Sequence, residues 1–347
     1  MTIDEVREYV EKVVTGSLPD EERYPSNVAE AMNYAMEAGG KRLRPLLMYL
    51  TFMAYNSSQE EVQSPEPGRR LRVLEAFMAA IEMIHTHSLI HDDLPALDND
   101  AIRRGKPAVH IQFGESAAVL AGDCLLNYAY ETIDSAILDD TFVFADDLSQ
   151  PAEDEADSYI VKMMDDYVWK TCVSQARYLL STNTGINGML GGQSLDVELS
   201  GQKISDNEMD YIYRNKTCAL IEAPILVGYT LSGYVGTPGY SKMIGGKEYK
   251  SIDALLAKAG EDIGLAFQVQ DDILDKTGDA SKLGKEVHQD EKNDKNTFVD
   301  RMGMEKSLKY VRKKTDEAVY ILNEIVPENE YRDLLIELIL SMVDREN

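Results

Sequence analysis

The chain contains 347 residues, enough for one large domain or two small ones with a sizeable core. Hydrophobic residues make up 44% and charged residues 28%, values that disfavour wholesale disorder and a collagen-like or coiled-coil rod. The formal net charge is −26, and a surface of that sign repels nucleic-acid phosphates and anionic lipid headgroups, which disfavours both as partners.

The amino-terminal segment is acidic and amphipathic, without the basic start and apolar core of a secretory signal. No run of about 18 uninterrupted apolar residues occurs, so we expect no stable membrane insertion. The cysteines Cys124, Cys172 and Cys218 are odd in number and far apart, which fits neither a disulfide framework nor a CxxC metal site. These features predict a cytoplasmic protein.

The first predicted helix begins at Thr2, because Thr2 and Glu5 have the spacing of a capping box ahead of a periodic apolar run. Positive charge then concentrates in the island Gly39–Pro45, and again in the island Arg103–Lys106. Arginine and lysine beside flexible glycines suit phosphate or diphosphate, although a basic patch alone is more often ordinary surface. Neither island is a P-loop, because GxxxxGK[ST] is absent.

An exposed loop is predicted from Asn56 to Arg70, and an apolar helical run then leads to the acidic cluster Asp92, Asp93 and Asp98. Asp92 and Asp98 are six residues apart, about 240° round an ideal helix, so they cannot share a metal unless the helix breaks between them. Pro95 supplies a reason for such a break.

Two histidines ahead of this cluster, His87 and His91, have the i, i+4 spacing of a zinc pair. We reject a zinc site, because HExxH is absent and no cysteine cluster accompanies the pair.

An acidic segment at about 139–157 is predicted to be a solvated insertion without a catalytic role. Further helices are predicted from Ser205, which has the capping-box spacing with Glu208, and from Ile252 to Gly278, where the apolar period is sustained for about six turns. Alternating strand patterns are scarce, and no repeat or change in composition separates two domains. We therefore expect one all-α domain over residues 1–347.

The strongest local signal lies within the last of these helices. Gln268, Asp271, Asp272 and Asp275 recur at i, i+3, i+4 and i+7, which places three carboxylates on one stripe in an otherwise apolar segment. Like charges at that spacing repel unless a cation intervenes, and magnesium suits one or two carboxylates together with substrate phosphate oxygens. A solvated acidic face is the alternative. Two acidic clusters and two basic islands together predict a site for two anionic substrates.

Six motifs in this order resemble those of the trans-isoprenyl diphosphate synthases, or polyprenyl synthetases, and the resemblance covers nearly the whole chain. The motifs are GGKxxRP, DDxxxxD, RRGKP, GGQxxD, KT and QDDxLD, which lie here at Gly39–Pro45, Asp92–Asp98, Arg103–Pro107, Gly191–Asp196, Lys216–Thr217 and Gln270–Asp275. The resemblance implies an all-α isoprenoid-synthase fold with helices around a deep central cavity, usually as a homodimer.

The resemblance also assigns roles to individual residues. The residues expected to bind isopentenyl diphosphate are Lys41, Arg44, His85 and Arg104. Those expected to bind magnesium, with three ions in each site, are Asp92, Asp98, Asp271 and Asp275, with help from Asp93. Those expected to contact the allylic diphosphate are Arg103, Lys216, Thr217, Gln268, Lys285 and Lys295. The catalytic set among these is Asp92, Asp93, Asp98, Arg103, Lys216, Asp271 and Lys285.

The implied reaction is ionisation of the allylic diphosphate, attack of the isopentenyl double bond on the cation, and loss of a proton. No protein nucleophile is required, in keeping with the absence of a convincing Ser-His-Asp or Cys-His arrangement. Two departures from the family pattern are His288, where a small residue is usual, and the long insertion at 139–157.

Product length in this family depends on the residues five and four positions before the first aspartate, which are His87 and Ser88 here. Histidine is intermediate in bulk, and we favour a farnesyl product over a geranylgeranyl product. A terpene cyclase is disfavoured, because it does not need Lys41, Arg44 and His85. A noncatalytic acidic metal-binding protein or partner subunit is the remote alternative, disfavoured because no EF-hand pattern occurs and both aspartate-rich motifs are intact.

Overall fold

The computed structural model describes residues 1–24, 26–56, 67–147, 156–234, 240–277 and 297–343. Within these ranges the protein is built from α-helices, which confirms the predicted all-α class. The helices are α1 Ile3–Gly16, α2 Val28–Met36, α3 Leu43–Asn56, α4 Pro67–Asp92, α5 Val109–Phe113, α6 Glu115–Asp147, α7 Ala156–Thr184, α8 Met189–Glu198, α9 Asp206–Ile212, α10 Ala219–Leu231, α11 Ile252–Thr277, α12 Phe298–Met302, α13 Met304–Ile325 and α14 Glu330–Val343. A π-helical turn, Tyr213–Cys218, joins α9 to α10.

Two short antiparallel hairpins interrupt the helices. Strands β1 (Ile102–Arg103) and β2 (Lys106–Pro107) pair with Arg103 opposite Lys106, and strands β3 (Lys242–Ile244) and β4 (Lys247–Tyr249) pair with Ile244 opposite Lys247. Only the first hairpin lies near the site described below.

The helix starts predicted from the sequence are confirmed. Thr2 and Glu5 form a reciprocal capping box at α1, and Ser205 and Glu208 form one at α9. Each box satisfies backbone N–H groups that have no partner within the first helical turn. The apolar period that starts at Ile252 produces α11, which ends at Thr277.

Helix α4 runs through the middle of the fold and packs against α3, α6 and α10. Its central stretch from Val73 to Ile84 is almost entirely buried. By length and composition alone, one helix in the described part of the chain, Gly68–Asp92, could cross a membrane, but 78% of its most apolar stretch is buried inside the protein. That burial is what a central core helix requires.

The acidic stretch at 139–157 begins within α6, which continues to Asp147. The expectation of a solvated segment is wrong at Asp140, because this carboxylate is buried against α4 and α7. It accepts hydrogen bonds from Arg69 and, at 3.1 Å, from the indole nitrogen of Trp169. Pairing with Arg69 compensates the desolvation of the charge.

Candidate active site

A cavity of about 670 Å³ lies beside the carboxyl end of α4, within the size range of small-molecule sites. Side chains from α3, α4, α8, α11, the β1–β2 hairpin and the π-helical turn line it. Twelve of the residues predicted from the sequence are among them: Lys41, Arg44, His85, His87, Ser88, Asp92, Arg103, Arg104, Lys216, Thr217, Gln268 and Asp271. Residues far apart in the sequence thus share one cavity.

Helix α4 ends at Asp92, as the position of Pro95 predicts. The chain then turns back, so that the backbone N–H of Asp98 donates to the carbonyl oxygen of Asp92 at 2.9 Å. This break brings the ends of the first aspartate-rich motif together, which a continuous helix would prevent. The Asp92 carboxylate lines the cavity and accepts a hydrogen bond from the Gln193 amide at 2.5 Å.

Asp93 points away from the cavity and is buried. The guanidinium of Arg103 donates to both of its oxygens, with Nε 2.9 and 3.1 Å away, and also donates to Asp100. Burial raises the pKa of Asp93 to about 6 against the opposing effect of Arg103. Asp93 therefore holds Arg103 at the cavity wall. The sequence had predicted a different role for Asp93, that of assisting magnesium binding.

The β1–β2 hairpin positions two arginines. Its turn residues, Arg104 and Gly105, have φ angles of 52° and 76°, the left-handed pair that a tight two-residue hairpin requires. Arg103 and Arg104 therefore both reach the cavity although they are adjacent in sequence.

The predicted isopentenyl diphosphate residues form one cationic wall of the cavity. Desolvation lowers the pKa of His85 well below its usual range, and the charges of Arg44 and Arg104 lower it further, so His85 is neutral near pH 7. Glu82 is buried behind this wall and lies 3.7 Å from the Arg104 guanidinium. An anion entering here meets three cations and a neutral imidazole.

Arg42 lies between Lys41 and Arg44 in the sequence, but its role is structural. Its side chain is fully buried and donates to Glu11 at 2.7 and 2.9 Å, to Glu82 at 3.0 Å and to the carbonyl of Met36 at 2.7 Å. The supporting roles of Arg42 and Glu82 are not visible in the sequence, since a basic island does not show which of its charges is buried.

Helix α11 presents Gln268 and Asp271 to the cavity. The other two carboxylates of the predicted stripe, Asp272 and Asp275, are 2% and 6% exposed and do not line the cavity. Of the three carboxylates on the predicted stripe, Asp271 alone lines the cavity, because α11 is covered on more than one side by α10 and α13.

The π-helical turn carries the Lys-Thr motif. Lys216 donates to Asp196 of α8 at 2.6 Å, and the Thr217 hydroxyl donates to the Gln268 carbonyl oxygen at 2.6 Å. Helix α8 approaches this turn so closely that a Cβ on Gly192 would lie 2.2 Å from the Lys216 nitrogen. The GGQxxD motif therefore positions Gln193 beside Asp92 and Asp196 beside Lys216. The motif indicated that these residues belong to the site, but not which side chains they contact.

The predicted chain-length residues His87 and Ser88 also line the cavity. His87 is buried, with Nδ1 3.0 Å from the Gly122 carbonyl, and its pKa is lowered to about 4 by burial and by the neighbouring His91. Nε2 of His91 lies 3.1 Å from the Val119 carbonyl. One nitrogen of each ring thus interacts with the backbone of α6.

Across the ranges that the structure describes, no group of three acidic, histidine or cysteine side chains converges closely enough to hold a metal ion. The carboxylates at the cavity, such as Asp92 and Asp271, come from separate helices. Lys285, His288 and Lys295 lie outside the described residues.

Comparison with known proteins identifies the family. The polyprenyl synthetase family profile matches residues 25–328. Farnesyl diphosphate synthase from Escherichia coli (strain K12) is 35% identical over 302 residues, which cover 87% of this chain and 84% of that protein. Geranylgeranyl diphosphate synthase from Cyanophora paradoxa is 34% identical over 337 residues, covering 96% and 94%.

The fold agrees with this match. A crystal structure of geranyltransferase from Helicobacter pylori, complexed with magnesium and isoprenyl diphosphate, superposes with a TM-score of 0.72 at 27% identity, covering 97% of this chain and 93% of that one. The predicted isoprenoid-synthase fold is thereby confirmed. This chain belongs to the polyprenyl synthetase family of prenyltransferases, whose substrates are small diphosphates.

Proposed function

We propose that this protein is a short-chain isoprenyl diphosphate synthase that condenses isopentenyl diphosphate with dimethylallyl or geranyl diphosphate to form farnesyl diphosphate. The observation that carries the proposal is that one cavity is lined both by the cations of Lys41, Arg44 and Arg104 and by the carboxylates of Asp92 and Asp271. Such a cavity suits two diphosphates that must be held in different ways.

We propose that magnesium binds at the cavity carboxylates; the Helicobacter pylori geranyltransferase was crystallised in complex with magnesium and isoprenyl diphosphate. The donors fit, because carboxylate oxygens are the ligands magnesium prefers, and it takes one or two of them with substrate phosphate oxygens. The residues proposed to hold the ions, three in each site, are the cavity-lining Asp92 and Asp271, joined by Asp98 and Asp275 from the same two motifs, which do not line the cavity.

When bound, magnesium would supply positive charge to the departing diphosphate. The protein's own groups act in the same direction. Lys216, held by Asp196, and Arg103, held by Asp93, are fixed cations at the cavity wall that stabilise negative charge on the leaving oxygen. Thr217 and Gln268 orient the allylic diphosphate, and Lys285 and Lys295 are proposed to join them.

The cationic wall holds the second substrate without metal. Arg44 and Arg104 bind its diphosphate as guanidinium forks and Lys41 as a point charge, which leaves the double bond to attack the allylic cation. The proton lost in that step passes to the released diphosphate. Because His85 is neutral, it can donate one ring N–H to a phosphate oxygen without adding charge.

Geranylgeranyl diphosphate is the second candidate product. The relative from Cyanophora paradoxa bears that name, and the floor residue His87 is smaller than tyrosine or phenylalanine. A noncatalytic metal-binding or partner subunit is a remote third reading, disfavoured because both aspartate-rich motifs supply a cavity residue.

Incubation with magnesium, isopentenyl diphosphate and dimethylallyl, geranyl or farnesyl diphosphate tests the proposal, with products separated by chain length. A fifteen-carbon endpoint that EDTA abolishes supports it, and a twenty-carbon endpoint favours the second candidate. Failure to condense with any allylic partner would leave the noncatalytic reading.

We further propose that the protein is a cytoplasmic homodimer. Large apolar side chains are exposed on α6 and α7, and a second copy of this surface would cover them. They are Val119, Leu120, Leu138, Met163, Met164, Tyr167, Val168 and Tyr178. Light scattering of the purified protein should give twice the chain mass of 38.9 kDa, and a Tyr167→Glu variant should shift toward monomer.

A further inference from the structure

Asp272, the middle acid of the second aspartate-rich motif, is a buried hydrogen-bond acceptor that joins three parts of the chain. One carboxylate oxygen accepts the Tyr213 hydroxyl at 2.6 Å and the backbone N–H of Phe298 at 3.2 Å. The other oxygen accepts the Gln268 amide at 3.0 Å. Asp272 therefore links α11 to the π-helical turn and to α12.

This carboxylate fixes the orientation of the Gln268 carboxamide. A carboxylate only accepts hydrogen bonds, so the NH₂ group of Gln268 must face Asp272 and its carbonyl oxygen must face Thr217, which donates to it at 2.6 Å. Asp272 thus determines how the amide of Gln268 and the hydroxyl of Thr217 are presented at the cavity wall.

Tyr213 completes the hydrogen-bond network around Asp272. Its hydroxyl donates to Asp272 and also accepts the backbone N–H of Phe298 at 3.1 Å. It is the first residue of the π-helical turn, the same turn that carries Lys216 and Thr217. Such turns are local departures from the α-helix that occur frequently at functional sites.

We propose that Tyr213 is a positioning residue for the allylic diphosphate. Its hydroxyl locks Asp272 against α12, and Asp272 in turn holds Gln268 and Thr217 in the orientation that receives this substrate. Tyr213 does not line the cavity, so it acts through these side chains and not by direct contact. The inference rests on the proposed function, since it assigns that wall to the allylic substrate.

The sharpest test is Tyr213→Phe, which removes one oxygen and keeps the ring that packs in the core cluster around Val269. Equilibrium binding of geranyl diphosphate, with magnesium and without the second substrate, should weaken about tenfold, the effect of losing a hydrogen bond to a charged group. Binding of isopentenyl diphosphate should stay within about twofold, because its proposed residues come from the Gly39–Pro45 segment, α4 and the β1–β2 hairpin and not from α11 or the π-helical turn.

Tyr211→Phe is the matched control, since this tyrosine is exposed, two residues earlier and outside the network. Asp272→Asn is the second variant, because its NH₂ group would confront that of Gln268 and reverse the amide. It should show the same selective loss as Tyr213→Phe.

Unchanged geranyl diphosphate binding in Tyr213→Phe would overturn the proposal. So would an equal loss for both substrates accompanied by a lower melting temperature, which would indicate a purely structural role. If the wild-type protein itself binds no allylic diphosphate, the proposed function fails first and the role of Tyr213 falls with it.

Discussion

The imidazole rings of His87 and His91 meet edge to face, with centroids 4.6 Å apart and planes inclined by 68°. Both rings lie against the backbone of α6, and a Cβ added to Gly122 would fall 2.2 Å from Nε2 of His91. The glycine is thus required for His91 to pack here. Both rings belong to the cavity lining, with His91 directly before Asp92 on α4 and His87 one helical turn earlier than His91.

Replacing His87 by alanine should lengthen the product, because it removes a buried ring from the cavity lining. We expect the distribution to shift by one five-carbon unit or more, measured by chromatography after exhaustive reaction with isopentenyl diphosphate. His87→Tyr should shorten the product in the same assay. If both variants give the wild-type distribution, other residues determine product length.

The carboxylates at the cavity should be essential for turnover but not for folding. Asp92→Ala and Asp271→Ala should each reduce kcat by at least about 100-fold, the scale of losing a group that stabilises developing charge. Circular dichroism should show the same helix content, since both side chains are at the cavity surface. Asp316→Ala, on the exposed face of α13, is the control. Full activity in either cavity variant would remove the metal assignment.

Substitution of the adjacent residues Arg42 and Lys41 should affect different properties, stability in one case and substrate binding in the other. Arg42→Met leaves Glu82 buried without its nearest partner, so the free energy of unfolding should fall by about 3–5 kcal/mol in urea titrations. Lys41→Met, at an exposed position, should change stability by less than about 1 kcal/mol and instead raise the KM for isopentenyl diphosphate. Equal stability of the two variants would contradict the structural role of Arg42.

Glu222 should make stability depend on pH. Burial, and then the neighbouring Glu261, raise its pKa from 4.5 to about 7. The folded protein therefore retains a proton that the unfolded chain loses above about pH 4.5, so stability falls as pH rises through this window. Glu222→Gln removes the effect and should raise the free energy of unfolding by about 1–3 kcal/mol at pH 8.

The gain from Glu222→Gln should shrink to less than about half at pH 5.5, where the wild-type carboxyl is protonated in the fold. Melting curves of both proteins at the two pH values provide the measurement. Glu8→Gln, at an exposed position on α1, is the control and should show no such difference. A gain independent of pH would mean that packing, and not the charge, is responsible.

The sequence by itself determined the helical class and the starts of α1, α9 and α11, because capping and apolar periodicity are local properties. It also determined the family and most of the residues that meet at the cavity, because six motifs retain their order and spacing.

Only the tertiary structure decided which member of each motif faces the cavity. Asp92 and Asp271 line it, whereas Asp93 holds Arg103 and Asp272 holds Tyr213 and Gln268. Arg42 is buried while its neighbour Lys41 is exposed. Whether a residue faces the cavity or is buried depends on how helices from distant parts of the chain pack around it. That packing also determines which charged or polar partner it contacts. Spacing along a single helix does not contain that information.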